Sequence, residues 1–305
     1  AILSSTGCSK FSLKDKPDGT WQRNLSSSFW GSVKSMCESP SGKYYFAGDN
    51  ETKAVLACSD NGLNHEWYKK DFQEENFQSI IYTTDNHLVV VGMEKDGVQI
   101  IGPAVLTKFD TLGNEIWKKK YMYHERTKIY DVIETSDGGF LMCGYVTYAD
   151  TDGYTFSFGL LIKTDKNGNE VLTAEYGSVD NILEFNELYK IVKVGDFYAM
   201  SGVYVHSSGN TPQGKIFIID QDGNLISEYM YDEGYFHSLK AIDNEHLIIA
   251  GQAGSSLNHA WIMKINLQGE VIWQSYNELE NWGFFYDVVP VSYTHLRAHE
   301  TVLDL

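Results

Sequence analysis

Short apolar runs, broken every few residues by glycine, asparagine or aspartate, fill the chain from residue 18 to residue 289. "IYDVIETSDGGFLMCGYV" and "FHSLKAIDNEHLIIAGQA" show the unit: an apolar strand, an Asp/Gly/Asn turn, and an apolar strand ending in glycine (Gly144, Gly251). "GSVKSMCESPSGKYYFAGDN", "FQSIIYTTDNHLVVVGME" and "LYKIVKVGDFYAMSGVYV" repeat it and close on Gly48, Gly92 and Gly202. A second hairpin alternates with the first: "LTKFDTLGNEIWKKKY", "LIKTDKNGNEVLTAEY", "IFIIDQDGNLISEYMY" and "IMKINLQGEVIWQSY". There Gly113, Gly168, Gly223 and Gly269 supply the positive φ that a tight turn needs. Trp21, Trp67, Trp117, Leu172, Ile226 and Trp273 read as equivalent positions, spaced by 46, 50, 55, 54 and 47 residues.

Four strands, a to d, therefore recur with a period of about fifty residues, which is the signature of a β-propeller. The strands are apolar along their whole length, as expected of sheets covered on both faces. The predicted fold is all-β: a β-propeller of four-stranded antiparallel blades at 32–72, 77–124, 129–177, 188–232 and 236–277, with a sixth that starts at "FFYDVV" and is truncated. "GTWQRNL" reads as an orphan strand d that would complete the last blade, so six to eight blades are expected in the intact protein.

The "K.D..GN..W.k.Y … DVI.T.DGG…G" rhythm resembles the propeller repeats of surface lipoproteins from Bacteroidetes-type bacteria. It is also similar in layout to WD-like and quinoprotein-like blades. The resemblance covers roughly residues 18–289. It implies a fold and an envelope location, and is nearly silent on activity.

The two ends read differently from the body. "AILSSTGCSK" resembles the end of a lipoprotein signal peptide, which makes residues 1–7 its remnant, Cys8 the lipid attachment site, and 8–17 a polar tether. At the other end, "VSYTHLRAHET" looks like a translated sequencing-library adapter. Residues 290–305 are therefore expected to be non-native and to add nothing to the fold.

Composition narrows the partners. The formal net charge is −17, which repels phosphate backbones and argues against nucleic acid. Cys37, Cys58 and Cys143 sit in strand-like runs and are expected to be buried thiols without metal spacing. No GxSxG elbow, phosphate loop or HExxH motif occurs, so no catalytic residue is assigned.

Loops that vary on a rigid scaffold carry function most often, and here these are the d–a and b–c connections. The d–a loops are acidic, and Glu74, Glu75, Asp180, Glu184, Glu187, Asp232 and Glu233 form a candidate rim that could take Ca²⁺ or a basic partner. The ordinary reading of such charge is solvation. Aromatics recur where strand a starts: Phe29 or Trp30, Phe77, Tyr130, Tyr189, Phe236, and Phe285 or Tyr286. They either ring a ligand or pack between blades. Tyr130, Tyr189 and, in the b–c loops, Tyr145, Tyr148, Tyr154, Tyr204 and His206 are the ligand-binding candidates. The expected protein is a monomeric, lipid-anchored, non-catalytic binding or scaffolding propeller of the bacterial envelope, with a glycan, peptide or envelope protein as partner. A propeller polysaccharide hydrolase or lyase using loop carboxylates is the alternative.

Overall fold

A computed structural model describes residues 32–49, 53–60, 65–73, 75–94, 102–149, 155–177, 184–206, 211–231, 234–253, 259–277, 285–292 and 295–300. Every regular element among them is a β-strand. The first repeat is β1 (Ser32–Glu38), β2 (Tyr44–Asp49), β3 (Lys53–Ser59) and β4 (His65–Gln73). The second is β5 (Glu75–Tyr82), β6 (Leu88–Glu94), β7 (Ala104–Phe109) and β8 (Glu115–Tyr121). The third holds β9 (Arg126–Glu134), β10 (Phe140–Ala149), β11 (Thr155–Thr164) and β12 (Glu170–Tyr176). The fourth holds β13 (Glu184–Val194), β14 (Phe197–His206), β15 (Gln213–Ile219) and β16 (Leu225–Tyr231). The fifth is β17 (Gly234–Ala241), β18 (His246–Ala253), β19 (His259–Asn266) and β20 (Val271–Asn277). Repeat boundaries match the sequence reading to within a few residues.

Contacts divide the chain into two compact units, Ala1–Met122 with Thr127–Gly138, and Tyr123–Arg126 with Gly139–Leu305. In the first unit the antiparallel sheets run β1-β2-β3-β4 and β5-β6-β7-β8. In the second, β17-β18-β19-β20 does the same. There β11 also pairs in parallel with β13 at Ser157↔Phe185, which joins the third and fourth repeats into one sheet.

Burial on both sheet faces explains the continuous apolar strands. Leu247 and Ile249 on β18 pack against Val194, Ala199, Ile216 and Ile218 of the fourth repeat. The alternate residues Ile248 and Ala250 pack the other way, against Phe285 and Val288. In the first unit Tyr45, Leu56 and Cys58 meet Phe77, Leu88 and Phe109 in the same manner. A sheet of this size cannot cover its own faces, so each repeat completes the core of its neighbour. Cys37, Cys58 and Cys143 are free thiols in these strands, the last two buried.

The turns follow the sequence closely. Gly113, Gly168, Gly223 and Gly269 have φ of 74°, 73°, 81° and 77°. In the turn at Asp110, Oδ1 accepts hydrogen bonds from the N–H groups of Leu112 and Asn114, at 2.9 and 2.8 Å, and Asn114 Nδ2 donates to Oδ2. Asp165 and Asp220 repeat that pattern. The equivalence at Ile226 is corrected, because Ser227 pairs with Ile218 as Trp117 pairs with Lys108 and Trp273 with Lys264. Ile226 lies one position off and points outward, 52% exposed.

Every comparable strand a carries one extra residue. The pairing slips at Lys34, Gln78, Tyr189 and His237, each time opposite the glycine that ends strand b. These are β-bulges. They account for Gly48, Gly92, Gly202 and Gly251: a Cβ there would lie 1.9–2.0 Å from the carbonyl oxygens of Ser32, Asn76, Glu187 and Tyr235.

The sixth repeat differs from expectation. β21 (Phe285–Ser292) pairs with β22 (His295–Glu300) in a two-stranded sheet, so residues past 290 do contribute strands. The physical reason is the open edge of β21, whose free N–H and C=O groups are satisfied by the extended segment that follows it. The remnant at 1–7, Cys8, the tether and the orphan "GTWQRNL" lie outside the described residues.

Candidate ligand-binding site

The bulges settle what the aromatics at the start of strand a do. Phe77, Leu188 and Phe236, just before the bulge, are core residues at 0–1% exposure, and Phe285 is buried too. The bulge residue itself then stands on the strand as an additional side chain. In the first unit this position holds Lys34 and Gln78. In the second it holds Tyr189 and His237; Tyr286 follows Phe285 on β21, where that strand slips against β22.

These three rings form an arc. His237 has its ring centre 6.2 Å from that of Tyr189 and 5.4 Å from that of Tyr286. Tyr235, two residues before His237, lies parallel to it at 6.2 Å. The Tyr189 hydroxyl donates to Glu187 Oε2 at 3.0 Å, which fixes the orientation of that ring. Burial, with the nearby Glu187 carboxylate, pushes the Tyr235 hydroxyl up. Burial pushes the His237 imidazole down to about 4, so it is uncharged at neutral pH. Neither ring nitrogen has a hydrogen-bond partner among the described residues.

A polar seam holds the arc from behind. Ser238 Oγ, one residue past His237, donates to Asp287 Oδ1 at 2.6 Å and accepts from the Val288 N–H at 3.3 Å. The first unit repeats the device: Ser79 Oγ donates to Asp131 Oδ1 at 2.7 Å, and the Ile80 N–H donates to Ser35 Oγ at 3.2 Å. Each joins strand a of one repeat to strand a of the next. Sequence reasoning missed these serines, as it missed His237. Their signal is the small polar or acidic residue that follows the bulge position, at Ser35, Ser79, Asp131, Ser238 and Asp287.

The other sequence candidates divide. Tyr145 is buried at 7% exposure. Tyr148 stacks on Phe156 at 5.3 Å, touches Phe158 and His124, and gives its hydroxyl to Glu175. Its faces are spent on the long β10–β11 hairpin. Tyr204 lies beneath the buried Lys215, whose Nζ is 4.8 Å from the ring centre and pairs with Glu228 at 2.5 Å. Tyr130, in the first unit, is covered by Lys128 at 4.6 Å. The arc thus gathers Tyr189 alone from that set.

Of the acidic rim, Glu187 joins the arc, whereas Glu75 is 3% exposed and ion-paired to Lys118. Burial pushes the Glu75 carboxyl up, against the Lys118 ammonium that pulls it down. Glu75 is therefore a buried half of a pair and no part of a displayed rim. Glu184 and His206 lie at the ends of β13 and β14, with side chains outside the described residues. Glu74, Tyr154, Asp180, Asp232 and Glu233 also lie outside them. Among the described residues no three His, Cys, Asp or Glu side chains group as metal ligands, and no helix is long and apolar enough to cross a membrane.

The turn side has a groove of about 650 Å³ lined by Gly195, Asp196, Phe197, Asn244, Asn266 and Gln268, among others. It is remote in sequence from the bulges, and its polar groups serve their own turns. Asn266 Oδ1 accepts from the Gln268 and Glu270 N–H groups. His246 Nδ1 is held by Asp243 at 2.8 Å.

No family model and no curated protein matches the chain. Solved structures do. A protein of unknown function from Bacteroides caccae is 12% identical with a TM-score of 0.53, over 81% of this chain and 82% of that one. The Dos1 propeller is 12% identical with a TM-score of 0.53, over 85% of this chain and 63% of that one. Virginiamycin B lyase from Staphylococcus aureus is 10% identical with a TM-score of 0.45, over 85% of this chain and 88% of that one. Together with the recurring four-stranded sheets, the first two establish the β-propeller fold and nothing finer.

Proposed function

We propose that the chain is a non-catalytic binding or scaffolding module of the bacterial cell envelope, anchored through a lipid on Cys8. It engages a glycan, a peptide or another envelope protein on the side where strand a begins. The observation that carries this reading is the arc Tyr189–His237–Tyr286. Bulges raise Tyr189 and His237 out of hydrogen-bonded strands, Tyr286 stands beside His237, and one carboxylate, Glu187, adjoins them. Aromatic side chains offer large contact area, and a stiff scaffold loses little freedom when it binds.

Full-length protein screened against glycan and peptide arrays tests the reading. Wild type should bind at least one class, and the double variant Tyr189→Ala/Tyr286→Ala should lose most of that signal while melting as wild type does. Bound sugars are then analysed for chain length. Shortened products would favour a hydrolase or lyase, and equal binding by the double variant would sink the proposal. Labelled palmitate incorporated by wild type but not by Cys8→Ala checks the anchor.

A further inference from the structure

Resting on that reading, we infer that the arc is built for an uncharged, hydroxyl-bearing ring, a neutral carbohydrate segment, with His237 as the residue that selects it. The argument begins with what His237 lacks. Its half-buried ring is held by Tyr189, Tyr235 and Tyr286, yet neither nitrogen has a hydrogen-bond partner among the described residues. The ring is half-buried and not sealed, so its nitrogens can still meet a ligand, and a hydrogen bond to one of them adds to binding. Being neutral, the imidazole offers one N–H donor and one bare acceptor. A hydroxyl can answer either, and a pair of neighbouring hydroxyls answers both.

The surroundings narrow the ligand further. Tyr189 and Tyr286 flank the imidazole. A sugar ring has the matching shape, with an apolar C–H face for an aromatic ring and a hydroxylated edge for the imidazole. The charged groups in reach are Glu187, bonded to Tyr189, and Asp287, bonded to Ser238. Lys240 lies 4.0 Å from Asp287, and Lys190 follows Tyr189 on β13. The local charges balance, but the protein's formal net charge of −17 disfavours sugars bearing carboxylates or sulfates. A peptide carbonyl could also accept from the imidazole N–H, so peptides are the competing ligand in the test.

The test is titration of full-length protein with neutral oligosaccharides, uronic-acid oligosaccharides and proline-rich or basic peptides. The variants are His237→Phe, which keeps a ring and deletes both nitrogens, and His237→Gln, which keeps a donor and an acceptor. Wild type should bind neutral sugars at least tenfold better than uronic acids. His237→Phe should weaken binding roughly tenfold, the loss of one to two hydrogen bonds, and His237→Gln should recover part of it. Peptide binding that the Tyr189→Ala/Tyr286→Ala pair abolishes, with no sugar bound, overturns this inference and leaves the binding reading standing. Equal affinity for uronic acids, or sugar binding unmoved by His237→Phe, also overturns it. If no probe responds to any arc variant, the binding reading falls as well.

Discussion

Replacing Gly92 by alanine tests the bulge geometry in the first-unit copy of the device that displays Tyr189 and His237 in the second. Its added Cβ would stand 2.0 Å from the Asn76 carbonyl oxygen, 2.9 Å from the attached carbon and 3.0 Å from Phe77 Cα. Carbon and oxygen ordinarily approach no closer than about 3.3 Å, so β5 must retreat from β6 by roughly 1.3 Å. All three atoms are backbone, so no side-chain rotation relieves the contact. The retreat would weaken about two ladder hydrogen bonds at about 1 kcal/mol each. It would also shift the fully buried Phe77, and overpacking of that kind costs about 1–3 kcal/mol. The sum is about 3–5 kcal/mol, or a fall in melting temperature of roughly 6–10 °C for a chain of this size. Gly195→Ala is the graded comparison: its Cβ would sit 3.0 Å from Asn244 O at φ +57°, and roughly 1 kcal/mol is expected. Thermal unfolding followed by circular dichroism reads both. A Gly92→Ala melt within 2 °C of wild type, an interval of about 1 kcal/mol, would refute the bulge as the reason for glycine, and with it the account of how Tyr189 and His237 are displayed.

Other outcomes follow from the same contacts. Glu75→Ala leaves the Lys118 ammonium with only Glu115, at 3.6 Å, and should cost roughly 2 kcal/mol, whereas Glu75→Leu with Lys118→Met should be near neutral; chemical denaturation of the single and double variants separates them. Asp85, despite some desolvation, is pulled down to about 2 by Lys108, Thr83 and His87. Its folded-state pKa is depressed, so its stabilisation is complete above the usual carboxylate range and disappears as pH falls through about 2. Asp85→Asn should therefore melt lower than wild type at pH 7, and the gap should close between roughly pH 4 and pH 2; a constant gap contradicts this. Burial pushes the Cys37 and Cys58 thiols up to about 12 and about 11. Neither should be alkylated by iodoacetamide at pH 8 in the native state, and both should be after denaturation, as read by peptide mass spectrometry.

The hairpins, their turns and the four-strand period were legible in the sequence because they are local. An Asp-x-x-Gly-Asn turn needs only its own five residues, and an apolar strand states its burial whatever it packs against. The continuous runs at 246–253 and 88–93 therefore announced covered sheets, and cover on both faces demanded repeated neighbours. The site was legible only in outline. The aromatics at the start of strand a were visible as a set, but two uses overlapped in them, and Tyr189 was singled out while His237 was not. Glu75 read as a displayed carboxylate because its loop is acidic, and Ile226 read as the equivalent of Trp117 because both are large.

What tertiary structure decided was register. One extra residue in a strand reverses which side chain faces the core, and the slip is set by a partner strand whose glycine makes room for it. That is how Phe236 becomes core and His237 is displayed, although they are adjacent in the chain. The burial of Glu75 against Lys118 was likewise set between strands 43 residues apart. Pattern along the chain determined that this protein is a repeat of four-stranded sheets of the β-propeller kind, because each sheet leaves its faces uncovered. Pairing between strands determined which residues those sheets hold out to a ligand, because a bulge is a relation between two strands and is written in neither alone.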